Sequence, residues 1–156
     1  MYSLGIRVSP SKTQSRVYFS VIEIKEDHFE ICRCNYLNIP NAIEIPEQLA
    51  FIRTNLLAVI SQYGITVAGL RITENIARNP SVFRMNIEGV IQELFANSTI
   101  EKYAILQISQ MKSLLDDSSI KSYLDAEMKF AEIEEWETLK LEERECIVTA
   151  CAVSNL

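Results

Sequence analysis

Polar and apolar residues alternate along the first part of the chain in the way that strands require. Residues 2–9 form a short apolar run, and an alternating run follows over residues 16–25. A third run covers residues 29–37, after a polar turn at residues 25–28. A period of two places one set of side chains on each face of a strand, and polar turns between such runs favour hairpins. The pattern therefore predicts three antiparallel strands.

A helical period replaces this alternation after the third strand. Apolar residues recur at spacings of three and four from Leu49 to Tyr63, with Pro46 in the first turn and Gly64 at the end. Proline is favoured at the start of a helix, and glycine is favoured just after its last turn. Residues 66–71 then form an apolar strand with scarcely a polar residue before its end. Such a run is typical of a strand covered on both faces, and it favours parallel pairing with the first strand.

Further elements complete the chain. The pair Asn79-Pro80 predicts the start of a second helix. Its inward side would carry the apolar residues Phe83, Ile87, Val90, Ile91 and Leu94. Residues 103–108 predict a fifth strand, and residues 139–153 predict the last helix. Residues 109–131, between them, are interpreted as a lid or insertion with one or two short helices. Alternating strands and helices of this kind indicate an α/β fold.

Length and composition limit what the chain can be. At 156 residues, 48% apolar and 23% charged, it fits a single domain over residues 1–156. No stretch approaches the roughly 20 apolar residues that cross a bilayer, and the start lacks a secretory signal, so we expect a soluble, cytoplasmic protein. The net charge of −6 opposes broad binding to nucleic-acid backbones. Nine of the 21 acidic residues lie in residues 125–145, so one face can still be basic.

The four cysteines form a poor metal site. Cys32 and Cys34 would share one face of a strand, whereas Cys146 and Cys151 are poorly aligned on a helix. His28 is the only histidine, which leaves no adequate ligand set for zinc. We expect buried, reduced thiols and no resident metal.

Two apolar strands end in arginine, and this repetition is the most informative feature of the chain. Leu4-Gly5-Ile6-Arg7 lies in the first strand, and Leu70-Arg71 ends the fourth. The carboxyl ends of parallel strands are where α/β sheets bind ligands. We therefore expect the two arginines to lie in a site.

These motifs and the order of elements resemble the ribonuclease H-like superfamily and, within it, the RuvC-type Holliday junction resolvases. In those enzymes the first strand reads Leu-Gly-Ile-Asp, a middle strand ends in glutamate and the final helix carries paired acids. Here Arg7, Arg71 and the pair Glu142 and Glu145 occupy those places. The resemblance covers nearly the whole chain and extends to a family of short uncharacterised bacterial proteins. It implies the βββαβαβα fold, with a mixed five-stranded sheet and helices on both faces.

The resemblance also implies a chemistry that the arginines oppose. The superfamily cleaves phosphodiesters with carboxylates that hold one or two magnesium ions. Arginine cannot ligate a cation and stays protonated at ordinary pH, so two arginines in that centre would repel a divalent ion. We therefore expect a catalytically degenerate domain, a pseudo-nuclease without a cofactor, that acts as a binding or protein-interaction module.

Three roles stay open for the arginines at this point. Arg7 and Arg71 can pair with Glu142 and Glu145 and replace the metal as a counterion, or they can form a site for a phosphate or carboxylate. In a shifted register, Glu74 would join Glu142 and Glu145. These three acids would then hold Mg²⁺ or Mn²⁺ in a divergent nuclease that acts on structured nucleic acid.

Other residues extend these hypotheses to partners. A local nucleic-acid surface beside the two strand ends would be lined by Lys12, Arg16, Arg78 and Arg84, which are otherwise ordinary solvated charges. The acidic residues 127–137 either solvate a loop or bind a basic protein partner, with Trp136 as the exposed anchor. By resemblance to the resolvases, the helix over residues 80–95 is the contact surface of a homodimer.

Overall fold

The computed structural model describes residues 1–74, 79 and 81–156. In this part of the chain five strands form, named β1 to β5: Tyr2–Ser9, Arg16–Ile24, Phe29–Asn38, Val67–Arg71 and Lys102–Leu106. Five α-helices, α1 to α5, cover Ile45–Tyr63, Val82–Ala96, Ile108–Leu115, Ile120–Leu124 and Leu141–Val153. Two 3₁₀ turns, Phe130–Glu132 and Trp136–Thr138, precede α5. The predicted order of strands and long helices is confirmed, and α3 and α4 are the short helices expected before the last one.

The strands form one mixed sheet in the order β3-β2-β1-β4-β5. β1 pairs with β2, and β2 with β3, in antiparallel register, as the hairpin pattern predicts. β4 pairs in parallel with β1 and with β5, and Arg7 lies directly opposite Arg71. The predicted parallel pairing is confirmed, and it places the two arginines side by side.

The two faces of β1 contact different layers of helices. The core under α1 and α2 buries the β1 side chains Leu4, Ile6 and Val8. On the other face, the Ser3 hydroxyl donates a 2.6 Å hydrogen bond to the Ala150 carbonyl of α5. Because side chains alternate along a strand, Arg7 shares this second face with Ser3 and also lies against α5. The expectation of helices on both faces is confirmed.

Gly5 allows α5 to lie close against β1. A Cβ atom at this position would be 2.0 Å from the Cys146 carbonyl oxygen and 2.7 Å from the Ala150 amide nitrogen. Both atoms belong to the backbone of α5, so no side-chain rotation would relieve the overlap. The glycine of the Leu-Gly-Ile motif is therefore a packing requirement, and the close contact brings α5 within reach of Arg7.

Several boundaries differ by a few residues from the sequence prediction; α5, for example, begins at Leu141 rather than at residue 139. α2 begins at Val82 rather than at Asn79-Pro80, because Ser81 caps the helix by accepting a backbone hydrogen bond through its hydroxyl oxygen. Pro80 itself lies outside the described residues. β5 ends at Leu106, before the predicted end of the strand, because Gln107 begins the capping box of α3.

A second core lies between α5 and the segment that precedes it. Residues 109–131 contribute the buried side chains Met111, Ile120, Leu124 and Phe130. Trp136 belongs to this core, since its ring is fully buried and its Nε1–H donates to the Tyr123 carbonyl at 2.8 Å. The prediction of Trp136 as an exposed anchor is therefore wrong: the ring packs on Phe130, with centroids 5.7 Å apart. The role of residues 109–131 as a lid stays a prediction.

The expectations about thiols and membranes can be compared with the fold. Cys146 and Cys151 are buried free thiols, but Cys32 is exposed, which corrects the expectation of buried cysteines. Cys32 lies on the outer strand β3, at a bulge where the pairing passes from Ile31 to Arg33. Across the described ranges, no helix has the length and apolar character needed to span a membrane.

Candidate functional site

The carboxyl ends of β1 and β4 carry a cluster of charges, called the polar centre, formed by Arg7, Arg71, Glu74 and Glu145. Glu145 lies near the start of α5, and its side chain is only 5% exposed. Its Oε2 lies 2.9 Å from Arg7 Nε, and its Oε1 lies 3.3 Å from Arg71 Nε, which finds no hydrogen-bond partner among the described residues. One buried carboxylate therefore bridges the two guanidinium groups.

Both guanidinium groups also bind backbone carbonyls. Arg7 donates to the Arg71 carbonyl oxygen at 3.1 Å, and Arg71 donates to the Ile72 carbonyl oxygen. A guanidinium presents five N–H donors in a rigid fork, so it can satisfy a carboxylate and a carbonyl at once. The cluster thereby cross-links β1, β4 and α5 at the last residue of β4 and two residues before the end of β1.

Glu74 extends the polar centre to α3. Its Oε1 lies 3.0 Å from Arg71 Nη2 and accepts the Ile108 amide hydrogen at 2.9 Å. Ile108 is the first residue of α3, where amide groups have no partner within the helix and the helix dipole favours a negative charge. Arg71 thus has carboxylates on two sides, one from α5 and one from the loop after β4.

Burial governs the ionisation of this cluster. Loss of solvent raises the pKa of Glu145, although the charges of Arg7 and Arg71 oppose the rise. Loss of solvent likewise lowers the pKa of Arg71, against the attraction of Glu145. Arginine nonetheless stays protonated at ordinary pH, because its reference pKa is far above that range. Each charge therefore depends on its partners in place of water.

Glu142 lies beside the polar centre rather than within it. Its Oε1 accepts a 3.2 Å hydrogen bond from the Ser9 hydroxyl at the end of β1. Within the described residues, no ion pair joins Glu142 to Arg7 or Arg71. Its charge contributes to the raised pKa of Glu145, after burial as the main cause. Of the two acids predicted to face the arginines, Glu145 alone contacts both.

Two residues of α2 lie on a further side of the centre. Arg84 is half-buried and donates to the Thr73 hydroxyl. One turn later, Glu88 has a buried carboxylate oxygen that finds no hydrogen-bond partner in the described part of the chain. Burial lowers the pKa of Arg84 and raises that of Glu88, and the charge of Arg7 acts on both. Sequence reasoning missed Glu88, although its spacing of four from Arg84 and its position after the inward Ile87 were visible.

The remaining residues of the predicted nucleic-acid surface are less closely tied to the polar centre. Lys12 is exposed and forms no ion pair with another described residue. Arg16 stacks over Tyr36 at 4.3 Å and donates to Asn38 at 3.0 Å. Arg78 lies outside the described residues. Of that predicted surface, Arg84 is held beside the end of β4 by its contact with Thr73.

A divalent cation does not fit this set of donors. Both oxygens of Glu145 face arginine, and the Oε1 of Glu74 is bound by Arg71 and by the Ile108 amide. Over residues 1–74, 79 and 81–156, no group of three or more His, Cys, Asp or Glu side chains is arranged to hold a metal ion. The arrangement is an internal ion cluster, with guanidinium groups where a cation would have to lie.

The sheet order and the helices on both faces are those of the ribonuclease H-like fold. Thermus thermophilus RuvC in complex with Holliday junction substrate superposes with a TM-score of 0.70 and 11% sequence identity, over 99% of this chain and 94% of that one. A second T. thermophilus RuvC structure gives 0.66 and 12%, with the same coverage. The chain therefore has the fold of the RuvC-type resolvases over nearly its whole length, as predicted.

A viral structure and two sequence comparisons complete the findings. The Fowlpox virus resolvase in complex with Holliday junction DNA gives a TM-score of 0.48 at 7% identity, over 98% of this chain and 99% of that one. No protein-family model matches the sequence, and no curated protein gives a significant match. Identities this low establish the fold, and function has to be argued from the site.

Proposed function

We propose that the chain is a catalytically degenerate ribonuclease H-like domain that acts as a binding or protein-interaction module. The observation that carries this proposal is the environment of Glu145, whose two oxygens both face arginine at the ends of β1 and β4. In the resolvases that the sequence resembles, those strand ends carry acids. Here arginine takes the place of a cation as the counterion of the helix carboxylate.

This exchange of charge removes the basis of the superfamily's chemistry. Metal-dependent phosphodiester cleavage needs cations that stabilise the attacking and leaving oxygens. Repulsion between a divalent ion and two guanidinium groups at the same strand ends opposes metal binding, and arginine cannot relieve it by losing a proton. A nucleic acid or a protein can still bind such a surface without being cleaved.

A thermal-shift titration with Mg²⁺ and Mn²⁺ tests the proposal. The wild-type melting temperature should not rise with either ion. The Arg7→Asp, Arg71→Glu double variant should gain stability, because it restores acids at both strand ends and a ligand that binds only the folded state stabilises it. Arg53→Gln, which removes a positive charge on α1 away from the centre without adding an acid beside Glu93, is the control and should not respond. A rise for the wild type comparable to that of the double variant would contradict the proposal.

Cleavage assays separate this proposal from a divergent metal-dependent nuclease. Such a nuclease would use Glu74, Glu142 and Glu145 as its acids. Branched, duplex and single-stranded DNA should all stay intact with wild-type protein in Mg²⁺ or Mn²⁺. Manganese-dependent cleavage that is lost in Glu142→Gln would overturn the assignment as a degenerate domain and support the nuclease.

A role of the arginines in anion binding is supported by a separate observation on Arg84. Its guanidinium group is half-buried and donates to the Thr73 hydroxyl, but it forms no ion pair with a described carboxylate. Glu88, one turn away, attracts Arg84 without forming an ion pair with it, and guanidinium groups suit phosphate oxygens. Inorganic phosphate should raise the melting temperature of the wild type and not that of Arg84→Gln.

A homodimer through α2 is supported by the surface of that helix. Val82 and Met85 are 72% and 56% exposed. Gly89 is also exposed, and a Cβ atom there would meet nothing within 4 Å. Glycine inside a helix costs about 1 kcal/mol relative to alanine, and no described contact within the chain requires it. A second copy of α2 lying across Gly89 would explain the glycine, because a missing side chain lets another backbone approach closely.

A further inference from the structure

We propose that the groove between the start of β3 and the 3₁₀ turn Phe130–Glu132 binds an extended, positively charged segment of a partner protein. The groove has a volume of about 440 Å³ and is lined by Asp27, His28, Phe29, Ile31, Ala131 and Ile133. Four of these six residues are apolar, and a groove of this size can accept a large side chain. Phe29 pairs with Ile24, at the end of the sheet opposite Arg7, so the proposal does not depend on the polar centre.

The first wall of the groove is a sheet edge. β3 is the outermost strand in the order β3-β2-β1-β4-β5, so alternate backbone N–H and C=O groups of β3 point away from the sheet. An extended peptide can pair with such groups while its side chains enter an adjoining pocket. Ile31, 37% exposed on this strand, supplies an apolar contact. The bulge at Cys32 limits regular pairing to the residues before it, which favours a short segment.

The second wall is held in place by buried aromatic rings. Phe130 packs against Phe29 and Trp136, with ring centroids 6.0 Å and 5.7 Å apart. The backbone of Ala131 and Glu132 is left-handed, with φ of 49° and 54°, a conformation that residues other than glycine keep only when their surroundings impose it. The turn is therefore fixed beside β3, and the groove does not have to form when a partner arrives.

Charge around the groove selects a basic partner. Asp27 lines the groove, and Glu132 and Glu134 flank Ile133 on the opposite wall. These three acids are exposed and form no ion pair with a described residue. Lys25, in the turn before β3, is already paired with two glutamates at 2.6 Å and 3.8 Å. Residues 127–137 hold five glutamates and one lysine. A segment with lysine or arginine beside each apolar side chain complements this surface.

Binding of defined peptides to the full chain tests the proposal. The probe is a fluorescein-labelled peptide of about six residues in which lysine alternates with valine and phenylalanine. Two matched probes replace the lysines by glutamate or the apolar residues by serine. Fluorescence anisotropy should show that the lysine peptide binds, that the other two bind at least about tenfold more weakly, and that salt weakens the lysine peptide.

Variants locate the binding site. The single variant Ile133→Asp and the double variant Asp27→Lys, Glu134→Lys should each weaken binding of the lysine peptide by about tenfold or more. The control is Leu141→Asp, which changes an exposed apolar residue on α5 and should leave binding unchanged. The double charge reversal involves exposed side chains, so it keeps the test valid if Ile133→Asp fails to fold. Absence of binding by the lysine peptide, equal binding of the glutamate peptide, or unchanged binding in the charge-reversal variant would each overturn the proposal. Conversion of a wild-type dimer to a monomer by Ile31→Asp would overturn it too, because the edge would then serve a second copy of this chain.

Discussion

At the scale of single residues, Glu145 is central to the site, because its carboxylate faces both arginines. Its side chain is 5% exposed, and burial alone would favour the neutral acid. Arg7 and Arg71 compensate its charge, while Glu74 compensates Arg71 from the other side. In such a cluster, removal of one partner leaves another charge buried without compensation, which costs more than the pair contributes when it is intact.

Arg71→Ala should therefore destabilise the protein by about 3–5 kcal/mol, because the buried Glu145 would lose one of its two counterions. The matched control is Arg53→Ala, since the Arg53–Glu93 pair at 2.9 Å is exposed, with side chains 33% and 52% accessible. That change should cost less than about 1 kcal/mol. Urea unfolding measures both. Equal losses in the two variants would show that the polar centre is not a stabilising cluster.

The raised pKa of Glu145 predicts a dependence of stability on pH. Above the reference value of 4.5, the folded protein holds the Glu145 proton more tightly than the unfolded chain does. Stability from this group is thus present at low pH and is lost as pH rises through the folded pKa. Relative to Glu145→Gln, which cannot titrate, the wild-type free energy of unfolding should fall as the pH rises above the reference value of 4.5. A relative rise in stability as the pH increases toward 4.5, with no fall above it, would mean that the arginines outweigh burial and lower the pKa.

At the scale of elements, the contact between β1 and α5 positions the site. α5 crosses the sheet with its backbone against Gly5, and this contact sets how far along β1 the helix lies. Glu145 consequently meets Arg7, while Glu142, three residues earlier, meets Ser9 at the end of the strand. The two glycines Gly5 and Gly89 therefore have opposite roles, one required by internal packing and one not.

Alanine at these two positions should have opposite effects. Gly5→Ala would place a Cβ atom 2.0 Å from a backbone oxygen of α5 and should cost more than about 3 kcal/mol or prevent folding. Gly89→Ala meets nothing within 4 Å and should stabilise the monomer by about 0.5–1 kcal/mol through helix propensity. Thermal and urea unfolding at low protein concentration measure both effects. A destabilised Gly89→Ala monomer would show that the glycine serves a contact inside the chain.

At the scale of the whole molecule, the fold leaves distinct surfaces on the two sides of its sheet. The α2 side has exposed Val82 and Met85 beside Gly89, while the β3 edge has the acidic groove. If α2 forms the dimer interface, the double variant Val82→Glu, Met85→Glu should be monomeric in sedimentation velocity. Two glutamates at the interface cannot be buried without partners. Tyr103→Glu, at an exposed position on β5, is the control and should leave the state unchanged. A monomeric wild type at high concentration would contradict the dimer.

The sequence by itself determined the order of elements and the pairing of the arginines. Strand and helix periods, Pro46, Gly64 and the polar turns are local signals that act over a few residues. They sufficed to predict a parallel β1–β4 pair, and in a parallel pair two residues at corresponding strand ends must be neighbours. Arg7 and Arg71 could therefore be assigned to one site before any packing was known.

Only the tertiary structure decided which groups those arginines meet. Glu142 and Glu145 lie on the same helix, and the position of α5 along β1 decides which of them contacts the arginines. The backbone contact of α5 with Gly5 fixes that position. The charge of Arg7 reaches the half-buried Glu88 of α2, and Trp136 is buried instead of exposed, because segments far apart in the chain pack together. The groove beside β3 likewise arises from two distant segments. Periodicity specifies which face of an element is apolar, but packing of the whole chain decides what that face touches.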